Sequence, residues 1–180
     1  IELFKYKIEG RADVEKITSL PIVGDVPFSE NKSSEGAIVV HENQNDLMAE
    51  TFRNVRTNVL YMMKSNEKVI LVTSTTTGEG KTFIASNLAV SLALLGKKIV
   101  IMGLDIRKPS LNKAFNLSHR EQGISQFLAN PEHTDLMSLV QVSRINANLS
   151  ILLGGPIPPN PTELVARESL SQAIDILKKH

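Results

Sequence analysis

The sequence predicts an α/β fold, a mostly parallel β-sheet flanked by helices on both faces. Apolar runs of β type at 69–72, 99–102 and 149–153 alternate with amphipathic helical stretches. A glycine-rich turn, Gly78-Glu79-Gly80-Lys81-Thr82, joins the first run to a helix. Strand, helix and strand fall within about 35 residues, the span of a βαβ unit, which sets its two strands parallel.

Each element follows from local pattern. Asp13 is expected to cap a short helix running through Thr18. Pro21-Ile22-Val23-Gly24-Asp25-Val26-Pro27 reads as a short edge strand closed by turns. The polar stretch 29–36 (SENKSSEG) is the linker, dividing a lead-in of residues 1–36 from a main domain of residues 37–180. Asn45 or Asp46 opens a helix to about Met63, with Leu47, Phe52, Val55, Val59 and Met62 at helical spacing. The strand 69–72 leads through the glycine turn into a helix over 81–95. That helix carries Ile84, Leu88, Leu92 and Leu95 on one face and stops at Gly96. Strands 99–102 and 149–153 and a closing helix over 161–179 complete the alternation.

Composition narrows the function. The 180 residues hold 20 Lys+Arg against 19 Asp+Glu, a formal charge of +1, which argues against a nucleic-acid partner. No cysteine is present, so disulfides and Cys-ligated metal centres are excluded. His41, His119, His133 and His180 are scattered without metal-ligand spacing. The longest apolar-leaning stretch, 83–95, contains Ser86, Asn87 and Ser91 and is too short to span lipid. The chain opens on Ile1 with no signal peptide, and we expect it to be a piece of a longer polypeptide.

The glycine turn has the chemistry of a phosphate cradle. Gly78 and Gly80 let the backbone turn its N–H groups inward, and the following helix adds its positive end. Thr76, Thr77, Gly78, Glu79, Gly80, Lys81, Thr82 and Phe83 are therefore the expected nucleotide-binding residues. Lys81 would lie across the phosphates of ATP, the Thr82 hydroxyl would ligate Mg²⁺, and Glu79 would point outward, away from the polyanion. The strict P-loop spacing has a glycine where Thr75 stands. The second strand runs into Gly103-Leu104-Asp105-Ile106-Arg107-Lys108-Pro109. Asp105 either faces the ligand crevice, binding metal-bound water or accepting a proton, or caps a short helix starting near Pro109. Arg107 and Lys108 either steady phosphate or are solvated.

With both motifs in hand, the chain resembles the bacterial tyrosine kinases, P-loop relatives of the partition ATPases. The resemblance rests on 20–27 (LPIVGDVP), 50–58 (ETFRNVRTN), the glycine loop, 105–109 (DIRKP) and 154–164 (GGPIPPNPTEL). It implies Mg-ATP-dependent autophosphorylation, on a tyrosine-rich tail of a neighbouring subunit. It also implies a parent chain anchored at the cytoplasmic side of the inner membrane and coupled to capsular or exopolysaccharide export machinery. Lys81, Asp105 and Arg107 become the catalytic candidates, with Thr82 and Asp105 on the metal. Glu50, Arg53 and Arg56 match an E-x-x-R-x-x-R motif of ring-like self-assembly, and their spacing lets one helix surface present all three. Gly103 stands where the family's first Walker A′ acid belongs.

Two parts of the family pattern fall outside 1–180. No unassigned apolar strand ends in the second magnesium-ordering acid, the Walker B aspartate, so the fold is expected to be truncated before that strand. Tyr6 and Tyr61 are the only tyrosines, and Tyr61 reads as a packing residue, as do Met62 and Met63. The competing functions are a partition-type regulatory ATPase without kinase activity and a nucleotide-sensing module.

Overall fold

The computed structural model describes residues 8–28, 37–118 and 122–180. The stretch 29–36 expected to be a linker, Tyr6 and His119 therefore lie outside the described residues. The elements run α1 (Arg11–Ile17), α2 (Leu47–Met62), α3 (Lys81–Ala93), β1 (Ile99–Met102), α4 (Leu111–Ala114), α5 (Ile124–Ala129), α6 (Leu136–Leu139), β2 (Gln141–Val142), β3 (Leu149–Leu152), α7 (Pro161–Val165) and α8 (Glu168–Lys179). The strand order is β1-β3-β2. β1 pairs parallel with β3, Ile99 beside Leu149 and Met102 beside Leu152, while the short β2 pairs antiparallel.

Successive side chains of a strand point to opposite faces, and both faces here are apolar. Ile99, Ile101, Leu149 and Ile151 join a core with Phe52, Ala89, Val90, Ala93, Leu111 and Phe115. Val100, Met102 and Leu152 join a second core with Ile124, Phe127, Leu128, Leu164 and Ala173. Helices α2, α3 and α4 thus cover one face and α5, α7 and α8 the other, which is the α/β layering the sequence predicts. Among the described residues no helix is long and apolar enough to cross a membrane.

The expected strand at 69–72 is not laddered. A strand is a property of a pair, and among the described residues β1 has a partner on one edge only. Val69, Ile70 and Leu71 are accordingly 51%, 40% and 78% exposed, although their sequence is that of a buried strand. Residues 21–27 form no strand either. They lie as a strap over α2, where Asn58 Nδ2 donates to Val23 O at 2.7 Å. A Cβ on Gly24 would come within 2.7 Å of Val55 Cγ2, so the close approach needs glycine there.

Helix ends shift for local reasons. α1 begins before Asp13, which accepts Glu9 N–H at 3.1 Å from inside the first turn instead of capping. The closing helix breaks at Ala166–Arg167 into α7 and α8. There the chain turns so that Ser169 Oγ donates to Leu128 O at 2.9 Å and Arg167 to Ala129 O at 3.5 Å, serving carbonyls at the end of α5. Along α2 the buried stripe is Ala49, Phe52 and Val55. Leu47, Met62 and Tyr61 are 72%, 43% and 91% exposed, so Tyr61 and Met62 do not pack as the sequence predicts.

Candidate functional site

α3 begins where the glycine turn ends. Gly78 and Gly80 have φ of 97° and 88°, the left-handed region that glycine enters freely, and Gly80 is the N-cap of α3. The first intrahelical bond runs from Ile84 N–H to Gly80 O at 2.9 Å. The amides of Lys81, Thr82 and Phe83 precede it and have no intrahelical acceptor, as at any helix start, and the helix dipole makes that end positive. The Phe83 ring meets Phe52 edge-on at 5.8 Å, which leaves only its backbone facing the loop for a ligand to use.

Glu79 does not point away from the loop. Its Oε2 accepts Thr75 N–H at 2.9 Å and Thr76 N–H at 3.1 Å, and its Oε1 accepts the Thr75 hydroxyl at 2.8 Å. Repulsion by a polyanion gave the outward expectation; the amides of Thr75 and Thr76, which need an acceptor, turn the side chain back instead. The Thr76 backbone hydrogen bond, then the Thr75 hydroxyl, lowers its pKa from 4.5 to about 2. A depressed carboxyl keeps its contribution in full above its unfolded pKa and loses it as pH falls through the folded one. The Thr75 and Thr76 amide resonances are therefore expected to hold position from pH 7 to about 4 and to titrate with a midpoint near 2. A midpoint at the ordinary 4.5 overturns this account.

The loop after β1 meets the start of α3 twice. Lys81 Nζ donates to Asp105 Oδ2 at 2.9 Å, both side chains being 32% exposed. Thr82 Oγ1 lies 2.9 Å from Ser110 Oγ. Burial alone would raise the Asp105 pKa, but the hydrogen bonds from Lys81 and from Lys108 N–H, with the charges of Lys81 and Arg107, hold it below the usual value. Asp105 Oδ1 accepts Lys108 N–H at 3.3 Å, while α4 starts at Leu111 with Ser110 as its N-cap. Asp105 thus faces the P-loop lysine and does not cap α4. Arg107 and Lys108 are exposed beside it.

Gly103 sits against the 154–160 loop. A Cβ there would lie 3.3 Å from Gly154 N and 3.4 Å from Leu111 Cδ2, so an acid at this position would crowd both. The same loop is pinned to α5 by Ser125 Oγ donating to Pro156 O at 2.9 Å. A Cβ on Gly123 would come within 2.3 Å of Gly155 N, a requirement for glycine that the sequence pattern does not announce. Ser110 is the other residue missed: its signal is only its place at the end of the acid-bearing loop.

The E-x-x-R-x-x-R residues lie on α2. Glu50 and Arg53 form an ion pair, and Arg53 also donates to Gln44 O and to Asn45 Oδ1. Arg56 donates to Ser91 O at 3.0 Å, at the far end of α3 from the glycine loop. Desolvation, then the Arg53 charge, lowers its pKa. Both arginines line a cavity with His41 and Asn148. The three residues therefore share one surface, and Arg56 meets α3 about 15 Å of helix away from Lys81.

A glycine turn opening a helix, with its lysine against an acid from the loop after strand β1, defines a P-loop NTPase, a nucleotide-binding fold. The family profile described as ParA: NUBPL iron-transfer P-loop NTPase matches residues 65–177. CapB of Staphylococcus aureus is 32% identical over 154 residues, 85% of this chain and 66% of CapB. Tyrosine-protein kinase YwqD of Bacillus subtilis is 33% identical over 136 residues, 75% of this chain and 56% of YwqD. The crystal structure of the chimerical protein CapA2B2 superposes with a TM-score of 0.80 at 34% identity, covering 93% of this chain and 70% of that one. The BceF tyrosine kinase domain matches with a TM-score of 0.80 at 30% identity, covering 96% and 72%. The chain belongs to the bacterial tyrosine-kinase family of P-loop proteins. It spans about two thirds of CapB and just over half of YwqD.

Proposed function

We propose that this chain is the ATP-binding part of an autophosphorylating protein-tyrosine kinase. The observation that carries the reading is the turned glycine loop at the start of α3 with Lys81 and Asp105 in contact. The donor set suits Mg-ATP: free first-turn amides and a cation for phosphate, and the hard oxygens of Thr82 and Asp105 for magnesium. When bound, Mg-ATP supplies the phosphoryl group and neutralises its charge. Lys81 holds the phosphates in line, and Arg107 adds a second cation at the mouth of the site. Asp105 takes the proton of the acceptor tyrosine hydroxyl, alone, because Gly103 carries no carboxylate.

In this reading the exposed run 69–72 and the free edge of β1 receive a strand from beyond residue 180, which also brings the Walker B acid. A tyrosine-rich tail follows that strand, and a membrane anchor precedes residue 1. The parent would then sit at the cytoplasmic face of the inner membrane and act with polysaccharide export machinery. Glu50, Arg53 and Arg56 supply a contact between copies in a ring. Gly103 favours a second reading, a nucleotide sensor without turnover.

Anti-phosphotyrosine blotting of the full polypeptide with Mg-ATP, beside Lys81→Met, decides between them. A signal lost in the variant is expected, and no signal in either protein overturns the kinase. Arg53→Ala with Arg56→Ala is expected to shift the full polypeptide to slower-sedimenting species and to weaken the blot. Unchanged sedimentation overturns the ring contact.

A further inference from the structure

We propose that Ser110 is a positioning residue that aims the Thr82 hydroxyl at magnesium; this rests on the reading of Thr82 as a magnesium ligand. Two diverted side chains carry it. Ser110 holds the N-cap position of α4, where a serine ordinarily accepts a backbone N–H, yet its side chain makes no cap hydrogen bond. Its Oγ lies 2.9 Å from Thr82 Oγ1 instead. A helical threonine chooses between two χ1 wells, one of which bonds its hydroxyl to the carbonyl a turn back. Thr51 and Thr57 in α2 take that well, donating to Leu47 O at 2.7 Å and Arg53 O at 2.8 Å. Thr82, second residue of α3, reaches across to the loop after β1.

The hydroxyl proton explains why this matters. A neutral hydroxyl has one proton and two lone pairs. To give a lone pair to a cation it must direct its proton at an acceptor elsewhere, and Ser110 Oγ is placed to receive it. An outer partner of this kind fixes the orientation of a ligand and is worth about tenfold in metal affinity. One loop thereby sets two consecutive side chains of the glycine loop, Lys81 through Asp105 and Thr82 through Ser110.

Calorimetric titration of ADP into the full polypeptide, in Mg²⁺ and in EDTA, tests this. Thr82→Ala is expected to abolish the gain in ADP affinity that Mg²⁺ confers. Ser110→Ala is expected to cut that gain about tenfold, with Ser110→Thr restoring it. In EDTA, wild type and both Ser110 variants are expected to bind ADP equally, which also reports an intact loop. A full gain in Ser110→Ala beside a lost gain in Thr82→Ala overturns the positioning role and leaves Thr82 in place. An undiminished gain in Thr82→Ala overturns the ligand reading itself. Failure of Ser110→Thr to restore the gain, or weaker binding in EDTA, assigns Ser110 to packing and also overturns the proposal.

Discussion

Replacing Lys81 with alanine is expected to weaken ATP binding about a hundredfold while leaving the fold almost as stable as before. The ammonium is 2.9 Å from Asp105 Oδ2 in a site one-third open to solvent. Its ion pair there is screened, so losing it costs the free chain only about 0–1 kcal/mol. Against a polyphosphate the same group makes charge-assisted hydrogen bonds worth about 3 kcal/mol, hence the hundredfold. The substitution also removes the hydrogen bond and the charge of Lys81, two of the four influences that hold the Asp105 carboxyl low against its burial, so its pKa should rise while Lys108 N–H and Arg107 still lower it. Arginine is not expected to rescue, because its planar fork replaces a compact point charge. Calorimetry for affinity and thermal melts for stability check both halves. Unchanged affinity would remove the nucleotide site, and a large fall in melting temperature would make Lys81 a structural residue instead.

The glycine loop was legible because its chemistry is local. Gly78, Gly80, Lys81 and Thr82 need only their own neighbours and the helix that follows, and periodicity located α2 and α3 to within a few residues. What depends on distant partners was not legible. The run at 69–72 has strand composition, but pairing is decided by whether another strand lies beside it. Tyr61 and Met62 have packing composition, and the end of α2 leaves them exposed. The orientation of Glu79 is not legible because its charge alone suggests repulsion by a polyanion, while the two amides that draw it back are placed only by the fold of the loop. Ser110 and Gly123 carry no motif; their partners, Thr82 and Gly155, are 28 and 32 residues away.

Asn87 is the sharpest case, and its replacement by leucine is expected to destabilise the chain by about 3–4 kcal/mol. In the sequence it only interrupts an apolar helix. In the fold it is fully buried, and every polar atom of its side chain is used. Oδ1 accepts Val39 N–H at 2.8 Å and Val40 N–H at 3.2 Å, while Nδ2 donates to Ala37 O and Phe83 O, each at 2.9 Å. Residues 37–40 belong to no helix or strand, so α3 ties down their backbone through this one amide. Leucine fills the same space but leaves two N–H groups and the Ala37 carbonyl without these partners. Each orphan costs about 1–3 kcal/mol, and because Ala37 and Val39 are only partly buried the three together come to about 3–4 kcal/mol, the low end of their sum. For a domain of this size the melting temperature should fall by about 10 °C. Asn87→Asp keeps the acceptor but loses both donors and buries a charge, so its stability should drop further as pH rises and the carboxyl ionises. Phe83, one of the four partners, stands in the first turn of α3 beside Lys81 and Thr82. Loosening it should therefore also weaken nucleotide binding, in proportion to the lost stability and unlike Lys81→Ala, which takes the affinity alone. An unchanged melting temperature in Asn87→Leu would show that water or new contacts satisfy the 37–40 backbone, and that the amide is not what joins it to α3.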